Sequence, residues 1–417
     1  MKISNSKYWN NVATVMVGTV LSQALPLLIL PLLARWLLPT ELGKYFEWFA
    51  RAALLAVAVG LAFESAIFTV NSESNIHRII RAVFVSGASI LLLLWLLWVV
   101  LFPIFDCTEV LGLNAFGFFT IGIFAASFAI QNCLIAALVY KGDFKAQALA
   151  KFIAASLVAA FQVGSSLLGF GFIGLVTAQV SGLIIAIIII IQFLKIDIFN
   201  QSLYELCTSA IITIVNFKKF PIFVMPGLFI GTLAAQLPVI YIGIKFGAEK
   251  VVFFSMALKV VAIPIGLIGS SILQVFKQSA SLELRTVGNC RNAYSHTFRN
   301  LAVLSIIPLV LVLFFGDFIF KTIFDAEYME SARIAKLLLP CIILGFVVSP
   351  LSYTLLITHN QYRNLLWQVV LLIFIVIVFS SKLNFDMSLI LYSSGYSLLY
   401  IVYAWMAWNA SKIDSRL

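Results

Sequence analysis

The sequence predicts an all-α polytopic membrane protein, with twelve transmembrane helices in two six-helix lobes related by a pseudo-two-fold axis. Three observations predict it. Of the 417 residues, 62% are hydrophobic and only 11% charged, with a mean hydropathy of +1.08; a soluble chain carries about 25% charged residues. Apolar runs close to the roughly 20 residues a bilayer span requires recur along the whole length. The two halves of the chain also repeat one another. The charge deficit leaves no stretch polar enough to form a large soluble domain. The net charge of +10 therefore reads as membrane orientation, and nucleic acid is excluded as a partner.

Taken in order, the spans are predicted at residues 12–34, 45–70, 82–105, 112–140, 146–168, 170–194, 221–243, 251–277, 300–320, 335–358, 364–381 and 387–409. Several exceed the bilayer thickness, so they tilt or kink. Lys2 and Lys7 precede the first run and no small-residue cleavage site follows it, so that span is expected to stay as an anchor. Counting basic residues in alternate loops places 17 of the 27 Lys and Arg on one side and 8 on the other. By the positive-inside rule both termini are then cytoplasmic, in a multi-pass protein of the bacterial inner membrane. Trp36, Tyr45, Trp48 and Tyr140 fall near span ends and read as interfacial anchors.

The expected organisation is a lobe over residues 1–200, a cytoplasmic linker over 201–220 and a second lobe over 221–417. Within the linker, Leu203–Val215 is apolar enough to lie along the membrane; otherwise it packs on the bundle. Five cysteines, scattered and without a CxxC, exclude a disulfide framework and a zinc site. No metal or other cofactor is expected. The three histidines are unclustered and carry no assignment.

The repeat pairs Gly18–Pro26 (GTVLSQALP) with Gly231–Pro238 (GTLAAQLP) across one deletion, matching Gln23 with Gln236 and Pro26 with Pro238. Glu41–Arg51 (ELGKYFEWFAR) then meets Glu249–Lys259 (EKVVFFSMALK) without gaps. Tyr45 faces Phe253 and Arg51 faces Lys259. These two cations, the only ones well inside spans, thus hold equivalent positions. Six spans separate the paired elements, so the halves share an orientation and are related about the membrane normal, a known transporter plan.

Arg51 lies about 9 Å into its helix, and Lys259 sits at the same depth. A cation in hydrocarbon is costly and faces a cavity, a partner or a substrate. Two of them in a low-dielectric cavity would attract a diphosphate, the guanidinium as a fork and the ammonium as a point charge. The competing reading pairs Arg51 with Glu47 one turn away, or lets both side chains snorkel. Lys259 has no acid three or four residues away. Gln23, Gln236, Gln131, Asn132, Gln162 and Gln179 either line the cavity for sugar hydroxyls or bond helix to helix. Glu64, about 20 Å along the axis from Arg51, cannot pair with it; it is a proton or cation coupling site or a structural partner to another helix. Pro26, Pro31, Pro238 and Pro264 interrupt their helices as hinges or fixed bends. The small residues Ala150, Ala154, Ala155, Ala159 and Gly164 point to close helix packing.

The stretch LSQALPLLILPLLARWLLPTELGKYFEWFA, with its Leu38-Pro39-Thr40-Glu41-Leu42-Gly43-Lys44-Tyr45 loop, resembles the start of the O-antigen flippases, the Wzx-type polysaccharide exporters. These belong to the multidrug/oligosaccharidyl-lipid/polysaccharide (MOP) exporter superfamily, so the fold implied is MOP/MATE-like. The resemblance implies two lobes around a cationic cavity. It also implies transfer of an undecaprenyl-diphosphate-linked oligosaccharide to the periplasmic face by alternating access. It further implies a coupling ion (H+ or Na+) and polymerase and chain-length proteins as pathway partners. Arginines bind the diphosphate in related lipid II flippases, and Arg51 and Lys259 match them by position. This chain departs in carrying a lysine in its second half and, in its first span, only Arg35 at the outer end.

Two alternatives make different demands. A multidrug exporter of organic cations wants buried acids, whereas two buried bases stand here against one clear acid, Glu64. A polymerase or ligase needs acid–base residues on a substantial outer loop. The outer loops are short, and only Asp317–Lys336 gathers acids, so no enzyme activity is expected and no catalytic residue is assigned.

Overall fold

The computed structural model describes residues 5–70, 72–101, 115–194, 203–358 and 360–412, with side chains from Val17 onward and not at 73, 99–101 or 203–204. Lys2, Lys7, Cys107, Lys195, His359, Arg416 and the span ends at 102–105 and 112–114 lie outside what is described. No strand occurs among the described residues. Eleven helices among them are long and apolar enough to cross a membrane, and twelve if one bent pair counts as a single span. Large side chains such as Phe314, Ile377 and Trp405 are 77%, 64% and 64% exposed. A soluble surface does not tolerate apolar area on that scale, and lipid does. The protein is a multi-pass membrane protein.

The contacts cluster into two units, Met1–Gln236 and Leu237–Leu417. In the first, α1 (Asn5–Trp36) packs along α6 (Phe144–Leu167), and α6 along α7 (Gly171–Leu194). α5 (Ala115–Tyr140) is the buried centre, touching α2 (Pro39–Gly60), α4 (Glu73–Leu101) and α7. Small residues let these backbones approach: a Cβ on Gly18 would stand 2.3 Å from that of Ala148, and one on Gly182 2.8 Å from the Val158 nitrogen. α8 (Leu203–Asn216) packs on α4, and the π turn Phe220–Val224 touches the short helix α3 (Phe63–Ala66). The division therefore falls inside α9 (Met225–Phe246) rather than in the 201–220 linker. This linker segment packs on the bundle. Ala210 and Thr213 are buried, while Ile211 and Val215 remain 61% and 57% exposed.

In the second unit α10 (Ala248–Val287) runs 40 residues, packed against α13 (Met329–Val348). α11 (Arg291–Leu304) and α12 (Ile306–Phe324) form one span with a break at Ser305. α14 (Tyr353–Ile357) continues α13 beyond a 3-10 turn, and α15 (Gln361–Ser380) and α16 (Phe385–Ser411) pair at the end.

The four proline hinge candidates do not coincide with breaks, although Pro221 and Pro350 lie in the π and 3-10 turns. Pro26 and Pro31 lie inside α1, Pro238 inside α9 and Pro264 inside α10, all assigned as continuous helices. The sharp bend, 42°, separates α2 from Phe63–Thr69. There Leu61 and Ala62 hold φ of 51° and 55°, a left-handed conformation costing a non-glycine residue about 1–2 kcal/mol. Tertiary bonds pin the broken backbone. The Ser86 hydroxyl donates to the Val59 carbonyl (3.2 Å), and Tyr140 donates to that of Val70 (3.0 Å).

Candidate functional site

α2 starts with Leu38 extended and Pro39 in its first turn, where a missing N–H costs nothing. Glu41 reaches across to accept from the Phe172 backbone N–H (2.5 Å), tying the start of α2 to that of α7. Tyr45 and Trp48 are 8% and 0% exposed, which corrects their reading as interfacial anchors. Trp48 donates to the Thr120 hydroxyl at 3.0 Å. The Tyr45 hydroxyl donates to Gln179 Oε1 (2.9 Å), and Gln162 Nε2 donates to the Tyr45 oxygen (2.9 Å). Of the amides singled out in the sequence, Gln162 and Gln179 are thus brought together, and they join α2, α6 and α7. Gln131 is buried in α5, Asn132 and Gln236 are half-buried, and Gln23 is exposed on α1.

Arg51 lies on the less buried side of α2, away from the face of Ala52, Ala56 and Val59. It is not a bare cation. Its Nη2 stands 2.5 Å from Glu47 Oε1, with the two side chains 13% and 14% exposed. The i,i+4 spacing brings the pair together, and low exposure keeps it from being screened. The count of interior charges changes accordingly. Two bases, Arg51 and Lys259, stand against two acids, Glu47 and Glu64, so net sign no longer separates an anion from a cation transporter. Glu64 is half-buried just past the bend, its Oε2 3.8 Å from where a Cβ on Gly60 would sit. It lies close enough to Cys133 on α5 to interact electrostatically.

In the second unit the run Val251–Ala257 of α10 is buried all round, and Lys259 follows it, half-buried. One turn earlier stands Ser255, whose hydroxyl is buried without a hydrogen-bond partner. Phe253, the counterpart of Tyr45, packs edge-on against Tyr328 at 6.1 Å. Three acids at one end of this unit, Asp317, Glu330 and Asp386, are ion-paired. Lys336 meets Asp317 at 2.6 Å, and Arg333 bridges Glu330 (2.7 Å) and Asp386 (2.6 Å), with Lys250 3.7 Å from Glu330. Sequence reasoning passed over a row of tyrosines on α16, Tyr392, Tyr396, Tyr400 and Tyr403, with Tyr396 and Tyr400 stacked at 4.8 Å and Trp367 on Tyr403 at 4.2 Å. Their spacing of four, four and three marks one helix face and was the available signal. Among the described residues no group of His, Cys, Asp and Glu is placed to hold a metal ion.

Three comparisons bear on what this arrangement belongs to. A comparison with curated proteins gives no match. Among solved structures the chain is similar to the lipid II flippase MurJ in an inward closed conformation, with a TM-score of 0.71 and 14% identity over 94% of this chain and 87% of that one. It is also similar to an inward-facing multidrug resistance MATE family transporter of the MOP superfamily (TM-score 0.64, 14% identity, 98% and 94% covered). A third is a MOP superfamily transporter from Pyrococcus furiosus described as having a binding pocket of reverse polarity (0.61, 14%, 95% and 94%). At such identity these establish the fold, which is that of the MOP exporters. The profile of the family described as "Polysaccharide biosynthesis protein" matches residues 32–333, well over half of the chain. On that match, the chain belongs to the polysaccharide biosynthesis protein family.

Proposed function

We propose that this protein is a flippase that carries an undecaprenyl-diphosphate-linked oligosaccharide from the cytoplasmic to the periplasmic face of the bacterial inner membrane. The observation that carries the reading is the coincidence of a polysaccharide-biosynthesis family with the fold of a lipid II flippase. A polysaccharide precursor too polar to cross lipid unaided needs such a carrier. The multidrug reading shares the fold but not the family. Of the four acids an outer-loop enzyme would draw on, Asp317, Asp325, Glu327 and Glu330, ion pairing occupies Asp317 and Glu330.

Arg51 and Lys259 are the proposed diphosphate ligands, one from each unit. The pairing in α2 divides their work. Glu47 already neutralises Arg51, so the arginine contributes its remaining guanidinium donors rather than net charge. Lys259 contributes an ammonium, a compact point charge with three rotatable donors. Gln162 and Gln179 spend part of their capacity on Tyr45 and shape the site rather than reading sugars.

The test is a gene deletion complemented by variants, with lipid-linked repeat units quantified on each face of the membrane. Deletion should trap them on the cytoplasmic face. Lys259→Glu should fail to relieve the block, with surface polysaccharide down about 100-fold, because a repulsive charge replaces an attractive one. Lys259→Arg should restore it. Full export by Lys259→Glu would remove the lysine from the site, and undisturbed lipid-linked intermediates in the deletion strain would refute the flippase reading.

A further inference from the structure

The segment leading into α9 builds a second polar site, remote in sequence from both interior cations. α4 and α8 enclose a cleft of about 430 Å³ between the first two turns of the one and the length of the other. Arg78 and Arg81 enter it from α4. Ser209, Thr213 and Asn216 enter from α8, with Glu205 at its start. The spacing explains the convergence: residues 78 and 81 share a face of α4, and 205, 209, 213 and 216 share one face of α8. Thr213 is only 4% exposed, its hydroxyl donating to the Ser209 carbonyl (2.7 Å), and Ile212 and Phe217 complete the lining.

The outer side of α8 fixes the depth of this cleft. Ile212 lines the cleft, whereas Ile211 and Val215, 61% and 57% exposed, form an apolar edge outside its lining. A helix polar towards its neighbour and apolar outwards lies in the membrane interface. α4 likewise turns apolar directly after Arg81 and runs into the bilayer. The two guanidiniums therefore stand at headgroup level beside bulk lipid.

We propose that this cleft binds the phosphodiester headgroup of an anionic glycerophospholipid from the surrounding bilayer. The Arg78 guanidinium would take the phosphate oxygens as a planar fork with Arg81 adding charge beside it, and the Asn216 side-chain amide would donate to an ester or glycerol oxygen. Charge decides between lipid sources. Two guanidiniums and one carboxylate leave a net single positive charge in the cleft, which matches one phosphodiester and falls short of a diphosphate. Bound lipid would clamp α8 onto α4. The inference needs only that the protein sits in a membrane, so it stands or falls apart from the flippase reading.

Native mass spectrometry of the full-length protein in detergent tests it, with phosphatidylglycerol, phosphatidylcholine, inorganic phosphate and undecaprenyl diphosphate titrated separately. The wild type should retain phosphatidylglycerol in preference to phosphatidylcholine. Arg78→Gln with Arg81→Gln should weaken that retention about tenfold. Arg78 is exposed, so Arg78→Gln alone preserves the fold and should still weaken it about threefold. Arg299→Gln on α11, away from the cleft, should change nothing. Equal retention by the Arg78 variant, or equal binding of phosphatidylcholine, would overturn the proposal. Competition by inorganic phosphate at equal concentration would make the cleft a free-anion site, and displacement by equimolar undecaprenyl diphosphate would make it a substrate site; either result overturns the lipid assignment.

Discussion

At α2 of the first unit, Arg51 shares its turn with Glu47, and a buried ion pair results. At the matching helix of the second unit, α10, the same register puts Ser255 where Glu47 stands and Lys259 where Arg51 stands. Other differences follow the same line. Tyr45 ties three helices through Gln162 and Gln179, whereas Phe253 offers only its ring to Tyr328. α2 breaks after Gly60 with a 42° bend, whereas α10 runs on without a break to Val287. Gly18 is pressed against Ala148, and nothing among the described residues lies within 4 Å of a Cβ on Gly231. At Tyr45 and Gly18 the first copy is locked by hydrogen bonds and close contact, where Phe253 packs only its ring and Gly231 has open space. Duplication preserves backbone register and lets the side chains that set rigidity and charge diverge.

The widest separation between the copies should come from the charge pair. Glu47→Ala leaves a buried guanidinium without its carboxylate, and thermal unfolding in detergent should show a loss of about 3 kcal/mol. Ser255→Ala removes a hydroxyl that already lacks a partner, and should be neutral or stabilising by up to ~1 kcal/mol. Equal losses would mean that the two positions are energetically alike and that the ion pair matters little.

A steric contrast comes next. Gly18→Val should force α1 away from α6 and cost about 2 kcal/mol, read as faster proteolysis and a lower unfolding midpoint. Gly231→Val should stay within about 0.5 kcal/mol of wild type, since open space surrounds it. A destabilised Gly231 variant would show that this face of α9 is covered in the membrane.

The smallest effect is expected at Tyr45. Tyr45→Phe makes α2 resemble α10, and should cost about 1 kcal/mol by stripping one partner each from Gln162 and Gln179. A double-mutant cycle with Gln162→Leu should recover most of that loss. Simple additivity would mean that the three groups do not act as a network.

The sequence reached further into the fold than into the site. Span positions were legible because hydrocarbon selects for length and polarity, properties that sum over about 20 residues and need no knowledge of neighbours. The repeat was legible because a rare residue type recurred in register. The place of the α2 break was not. Leu61 and Ala62 carry no glycine or proline signal, and their strained backbone is held by Ser86 and Tyr140 from other helices. Tyr45 and Trp48 misled for a similar reason. Aromatic residues at a span end suit the headgroup region, and only packing against Thr120 and Phe124 reveals a core position. The cleft beside Arg78 joins residues more than a hundred positions apart.

Sequence alone determined that this chain lives in a membrane as a helical bundle, because hydropathy is a one-dimensional property. Tertiary structure decided which charges meet. Whether Arg51 and Glu47 turn towards each other or towards different neighbours depends on rotamers and on the helices that exclude water around them. That competition between desolvation and pairing is settled only once the helices are packed.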